Sequence, residues 1–119
     1  MSERSVLLLL EDILEALEKV DRYTQGYSIS SFLKDQKTRD AVIRNLEIIG
    51  EAANRFPESF RARNPGIPWK RIIGLRHRIE HEYFGVDPML IWHILKMDLP
   101  EFYANLKDLY KGFCNNHLE

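Results

Sequence analysis

The chain has a single cysteine, Cys114, so no disulfide can form within one copy. One unpaired thiol fits a reducing, cytoplasmic setting. No apolar run approaches the ~20 residues that span a bilayer. The longest early run, Val6 to Leu10, is followed at once by Glu11 and Asp12, which argues against a signal peptide. Charge of one sign is also scarce. A formal net charge of −1 gives no global attraction to nucleic acid. Strand signals, internal repeats and low-complexity segments are missing too. The expectation from these absences is a soluble, cytoplasmic protein with no membrane partner, and 119 residues suit one domain spanning 1–119. A chain of this size buries roughly 65% of its unfolded surface, enough to fold without staples.

What is present has helical period. Ser2 is placed to cap a first helix, and Val6, Leu10, Ile13, Leu14, Leu17 and Val20 recur at spacings of three and four. This pattern fades between Tyr23 and Gly26, and Ser28 to Ser31 reads as a connector with Ser30 or Ser31 capping a short turn. A second helix starts near Lys37 to Asp40 and stops at Pro57, with Val42, Leu46, Ile49, Ala53 and Phe56 as its apolar stripe. Gly50 lies inside it at a propensity cost of about 1 kcal/mol relative to Ala, which close helix–helix approach would explain. The stretch from Glu58 to Pro68 reads as irregular, with Asn64-Pro65-Gly66 as a turn signal. Pro68 opens a third helix from Trp69 to about Tyr83, ended by Gly85. Asp87 caps a fourth, with Pro88 in its first turn. Pro100 predicts a kink or break ahead of a last segment carrying Phe102, Leu106, Leu109 and Tyr110 on one face. The fold class is all-α: an up-and-down bundle of about four to five helices.

Chemistry concentrates in Arg76-His77-Arg78-Ile79-Glu80-His81-Glu82-Tyr83. Arg offers a planar, permanently charged fork suited to phosphate. His exchanges protons near neutrality. Together they supply a clamp and an acid/base for phosphodiester cleavage without a metal. At about 100° per residue, Arg76 falls within the stripe of Ile72, Leu75, Ile79 and Tyr83. An Arg there either pairs with a carboxylate such as Glu47, Glu51 or Glu80, or faces a partner subunit. Five residues separate Arg76 from His81, about 140° around a straight helix. Either the helix loosens before Gly85, or a second copy of the chain completes the site. His77 and His81, four residues apart, could present two imidazoles to a metal. The pattern is not H-E-x-x-H and no third ligand has motif spacing, so no metal or other cofactor is expected. His77 then reads as a groove-lining donor or a surface residue. Arg61, Arg63, Lys70, Arg71, Arg76 and Arg78 follow one another with no acid between Arg61 and Arg78, a track that single-stranded RNA could follow through its phosphates. Trp69, Trp92 and Tyr103 could stack on bases, although core packing is the simpler expectation for each.

Arg76-x4-His81-x-Tyr83 resembles the R-x4-H-x-Y motif of HepT-like proteins, the minimal HEPN-domain ribonuclease toxins encoded beside an MNT-type nucleotidyltransferase antitoxin. The likeness extends upstream to Ala41-Val42-Ile43-Arg44-Asn45-Leu46-Glu47-Ile48-Ile49-Gly50-Glu51-Ala52. It reaches downstream to Phe84-Gly85-Val86-Asp87 and Asp98-Leu99-Pro100, so it covers nearly the whole chain. His77 departs from the Asn that family members often carry after the motif Arg. The resemblance implies a HEPN-like homodimer with its two motifs facing across the two-fold axis. It implies a metal-independent endoribonuclease in which Arg76 holds the scissile phosphate and His81 acts as general acid/base. The RNA's own 2′-OH attacks, leaving a 2′,3′-cyclic phosphate. Tyr83 would be the residue modified with AMP by the antitoxin, while His77, Arg78, Lys70 and Arg71 would contact RNA. The alternative is a non-catalytic helical binding module that partners a nucleotidyltransferase and uses the motif for dimer packing.

Overall fold

The computed structural model describes residues 3–80 and 87–117, with side chains described over 5–79 and 87–115. Ser2, and the segment from His81 to Val86 that includes Tyr83 and Gly85, lie outside the described residues. Helix α1 (Glu3–Thr24) is followed by α2 (Ile29–Lys34), α3 (Gln36–Asn54), α4 (Glu58–Arg63) and α5 (Trp69–Glu80). Then come α6 (Pro88–His93), a π-helical turn (Ile94–Asp98) and α7 (Leu99–His117). No strand occurs among the described residues. Helix α1 packs on α3 and α7, and α3 packs on α5. The long helical runs thus form the all-α bundle that the periodicity predicts. Leu10, Ile13, Leu17, Leu46, Ile49, Ile72, Leu75, Ile91, Ile94 and Phe102 are fully buried at its centre.

The structure adds detail where the sequence is ambiguous. Ser28, rather than Ser30 or Ser31, caps α2: its Oγ accepts from Ser31 N, and Ser31 Oγ accepts from Ser28 N in return. This reciprocal box satisfies two backbone donors at once. Helix α3 begins earlier than the apolar stripe suggests because Asp35 caps it, accepting from Thr38 N at 3.0 Å. The Glu58–Pro68 stretch is not wholly irregular, since α4 forms in it. Glu58 in its first turn and Arg61 and Arg63 in its last suit the helix dipole, and Phe60 is buried. Asn64 closes it, donating from Nδ2 to Phe60 O at 2.8 Å, and the expected turn follows with Ile67 N donating to Asn64 O. Asp87 caps α6 as expected, with Pro88 at its start. Pro100 does not break the last helix. It lacks an N–H to donate backwards, and the chain widens into the π-helical turn directly before it.

Asp35 also accepts hydrogen bonds from Tyr27 OH at 2.6 Å and Thr38 Oγ1 at 2.7 Å. The Tyr27 hydroxyl, then the Thr38 backbone and side chain, hold its carboxyl at a pKa of about 2, below the ordinary 3.8. A depressed folded-state pKa means that Asp35 stabilises the fold above 3.8 and loses that contribution as pH falls towards about 2. Thermal melts across that window should show the parent losing more stability on acidification than Asp35→Asn. Parallel curves would remove Asp35 from the acid response.

Candidate nucleic-acid interface

Helix α5 carries the candidate site, and its seat on α3 is set by Gly50. A Cβ placed at Gly50 would lie 3.2 Å from Ile72 O and 3.3 Å from both Arg76 N and Arg76 Cβ. The missing side chain lets α5 approach at the turn that bears Arg76. Ile72, Leu75 and Ile79 are buried and fix the inward direction of α5. Arg76 is exposed. The wheel put it within the apolar stripe, but it lies on the flank of that stripe, beside α3. Its β-carbon is at the helix crossing while the guanidinium has a stem long enough to reach water.

The basic residues of α5 do not form one patch. At about 100° per residue, Lys70, Ile73 and His77 share the outward face, with Arg76 on the α3 flank and Arg71 and Arg78 on the opposite flank. Burial agrees: Lys70, Arg71 and His77 are exposed, whereas Ile73 and Arg78 are half-buried. Arg71 reaches across to the π-helical turn, where its Nη2 lies 3.1 Å from Asp98 Oδ1. The Asp98 side chain is only 8% exposed. Arg71, one of the residues expected to meet RNA, therefore also has a structural duty, neutralising a nearly buried carboxylate.

The aromatic side chains divide as packing expects. Trp69 is buried, its ring centroid 5.1 Å from that of Phe56, and its Nε1 donates to Asn64 O at 3.0 Å. Trp92 packs against Phe32 with ring centroids 5.3 Å apart, and Lys96 Nζ lies 4.6 Å from its centroid. Tyr103 is half-buried, with Lys107 Nζ 4.3 Å from its ring centroid. Among the described residues no three His, Cys, Asp or Glu side chains converge as a metal site would require. His81, the second imidazole of the His77 pair, lies outside them, as does Tyr83. No helix of the described residues is long and apolar enough to cross a membrane.

Arg61, the first residue of the basic track, lines a depression between helices. Arg61 stands in the last turn of α4 with its Nε buried and without a hydrogen-bond partner among the described residues. Its neighbour Phe60 stacks on Phe56 with ring centroids 5.3 Å apart, which holds α4 against α3. The signal was present as the first residue of the basic track, but its place in a cavity depends on α4, which the sequence alone reads as irregular.

An all-α, HEPN-like bundle displaying an Arg at the junction of two tightly packed helices defines the class. Residues 13–109 match the Ribonuclease HepT-like family, and the chain belongs to that family. It is 44% identical over 101 residues to "Putative RNase MJ1380" of Methanocaldococcus jannaschii, covering 85% of this chain and 93% of that one. It is 42% identical over 102 residues to "Probable ribonuclease HepT" of Thermococcus cleftensis, covering 86% and 93% respectively. No solved structure matches.

Proposed function

We propose that this chain is a metal-independent endoribonuclease, the toxin half of a toxin–antitoxin pair whose antitoxin is an MNT-type nucleotidyltransferase. The observation that carries the reading is Arg76, exposed on α5 at the Gly50 crossing within the motif Arg76-x4-His81-x-Tyr83. Family membership and the names of the relatives support it.

In this reading Arg76 grips the non-bridging oxygens of the scissile phosphate and stabilises the charge that grows on them. His81 handles protons. The substrate's 2′-oxygen attacks phosphorus as its proton leaves, the P–O5′ bond breaks, and the departing 5′-oxygen gains a proton. The products are a 2′,3′-cyclic phosphate and a free 5′-OH. His77, Arg78, Lys70 and Arg71 contribute charge along the strand, Arg71 within the limits of its pair with Asp98. A homodimer brings a second motif to the groove, which answers the separation of about 140° that a straight helix would put between Arg76 and His81. An AMP group on Tyr83 would add a phosphate that competes for Arg76 and repels RNA.

The test is cleavage of single-stranded RNA by the purified chain in EDTA. RNA should be cut to cyclic-phosphate ends, and the all-deoxy strand, lacking the 2′-OH, should survive. Light scattering should give twice the chain mass. Incubation with the cognate nucleotidyltransferase, ATP and Mg²⁺ should add AMP mass to the parent and not to Tyr83→Phe. Loss of cleavage in EDTA with recovery on zinc would favour a metal site. No cleavage under any condition, with nucleotidyltransferase binding retained, would leave the binding-module reading.

A further inference from the structure

We propose that the depression between α3, α4 and α5 is a nucleotide subsite that holds the RNA unit next to the scissile phosphate. This rests on the ribonuclease reading and adds a place and a set of residues to it. The depression has a volume of about 400 Å³ and is lined by Asn54, Glu58, Arg61, Trp69, Lys70 and Ile73. Three observations assign it. It is basic where a phosphate would enter, with Arg61 from α4 and Lys70 from the first turn of α5. Arg61 Nε is buried and has no hydrogen-bond partner among the described residues, which seats the Arg61 stem in the wall of the depression. And Asn54 and Ile73 in its lining stand one helical turn from Gly50 and Arg76, which meet at the α3–α5 crossing.

Helix geometry sets how near the depression lies to Arg76. Asn54 is four residues beyond Gly50, on the same face of α3, and Ile73 is three residues before Arg76 on α5. Lys70 lies about 9 Å from Arg76 along the axis and about 120° around it, so the strand turns from the α3 flank onto the outward face of α5 between them. A strand whose phosphate is gripped by Arg76 therefore passes the depression within a short run of nucleotides. Its lining has the composition of a nucleotide site: two cations for phosphate, an amide and a carboxylate for polar edges, and Ile73 with the rim of Trp69 for an apolar face. Glu58 is its one carboxylate. It opposes a phosphate but accepts from the amino edge of a base, so the phosphate is placed on the Arg61 and Lys70 side. The aromatic packing of Phe56, Phe60 and Trp69 fixes α4 and makes the depression a preformed feature.

Trp69 supplies a built-in reporter. In the full chain carrying Trp92→Phe, emission comes from Trp69 alone. Titration with a random-sequence 2′-O-methyl RNA hexamer pool, which cannot be cut, should shift that emission. Arg61→Gln and Lys70→Gln should each weaken binding by about tenfold, as loss of one charge-assisted contact implies. Each should also lower the slope of log K against log salt by about 0.7, the value for one phosphate contact on a single strand. In otherwise unaltered chain, KM for RNA cleavage should rise in both variants while kcat holds. This second measurement stands if Trp92→Phe fails to fold. Parent KM and parent salt slope in both variants, with cleavage still requiring Arg76, would sink the subsite and leave the ribonuclease. Binding that depends on Arg61 and Lys70 without any cleavage would leave an RNA-binding depression and sink the nuclease reading, and with it the place beside a scissile phosphate. No RNA binding at all would overturn both.

Discussion

Arg76→Ala is expected to lower RNA cleavage by at least about 10²-fold, the loss typical of removing one donor from a charge-stabilising site. The fold should survive it. Arg76 is exposed, and surface substitutions usually stay within about 0.5 kcal/mol of the parent. Helical content and melting temperature should therefore match the parent, separating lost chemistry from lost structure. Arg76→Lys sharpens the point. It keeps the charge but replaces the planar fork with a point ammonium, so a two-oxygen grip on phosphate cannot be reproduced. Activity should fall between parent and alanine variant. His81→Ala should cost about 10²–10⁴-fold, the usual contribution of a general acid/base. If all three variants cut RNA as the parent does, Arg76 serves only the helix surface and the motif has no catalytic part.

Gly50→Val should damage stability and activity together, for a reason that has nothing to do with the residue's own chemistry. A Cβ there meets Ile72 O at 3.2 Å and Arg76 N at 3.3 Å, and both are backbone atoms that no rotamer change can move aside. Helix α5 must shift as a body, and overpacking of this kind costs about 1–3 kcal/mol. Each kcal/mol corresponds to about 4–8 °C in melting temperature for a domain of 60–100 residues. Gly50→Ala sets the same contact against a gain of about 1 kcal/mol in helix propensity, so its net effect should be smaller. Because Arg76 sits at that contact, kcat of the folded Gly50→Val fraction should drop as well. A variant with parent melting temperature and parent kcat would show that the crossing tolerates displacement and does not position Arg76.

These two positions were legible in the sequence to different degrees. Arg76 stands out because a fixed cation, two imidazoles and a phenol within eight residues is a rare combination, and residue type alone carries that signal. Gly50 shows in the sequence only as a propensity defect inside a helix. What it faces depends on which helix packs there, a long-range fact that periodicity does not contain. The same limit explains the misplacement of Arg76 on its helix. An ideal wheel assigns angles, yet the width of the buried stripe is set by the neighbours, here α3 on one side and the π-helical turn on the other.

The amino-acid order by itself determined the all-α class, the apolar faces of the long helices, the Asp87 cap and the motif that marks the family. Those follow from local rules: the helical period, capping by short polar side chains and the identity of reactive groups. Only tertiary structure decided that Arg71 neutralises Asp98 and that Arg61 and Lys70, from two different helices, line one depression. Arg71 and Asp98, far apart in the chain, become neighbours through packing, and a helix as short as α4 is held by Phe60 against Phe56 and Trp69 more than by its own propensity.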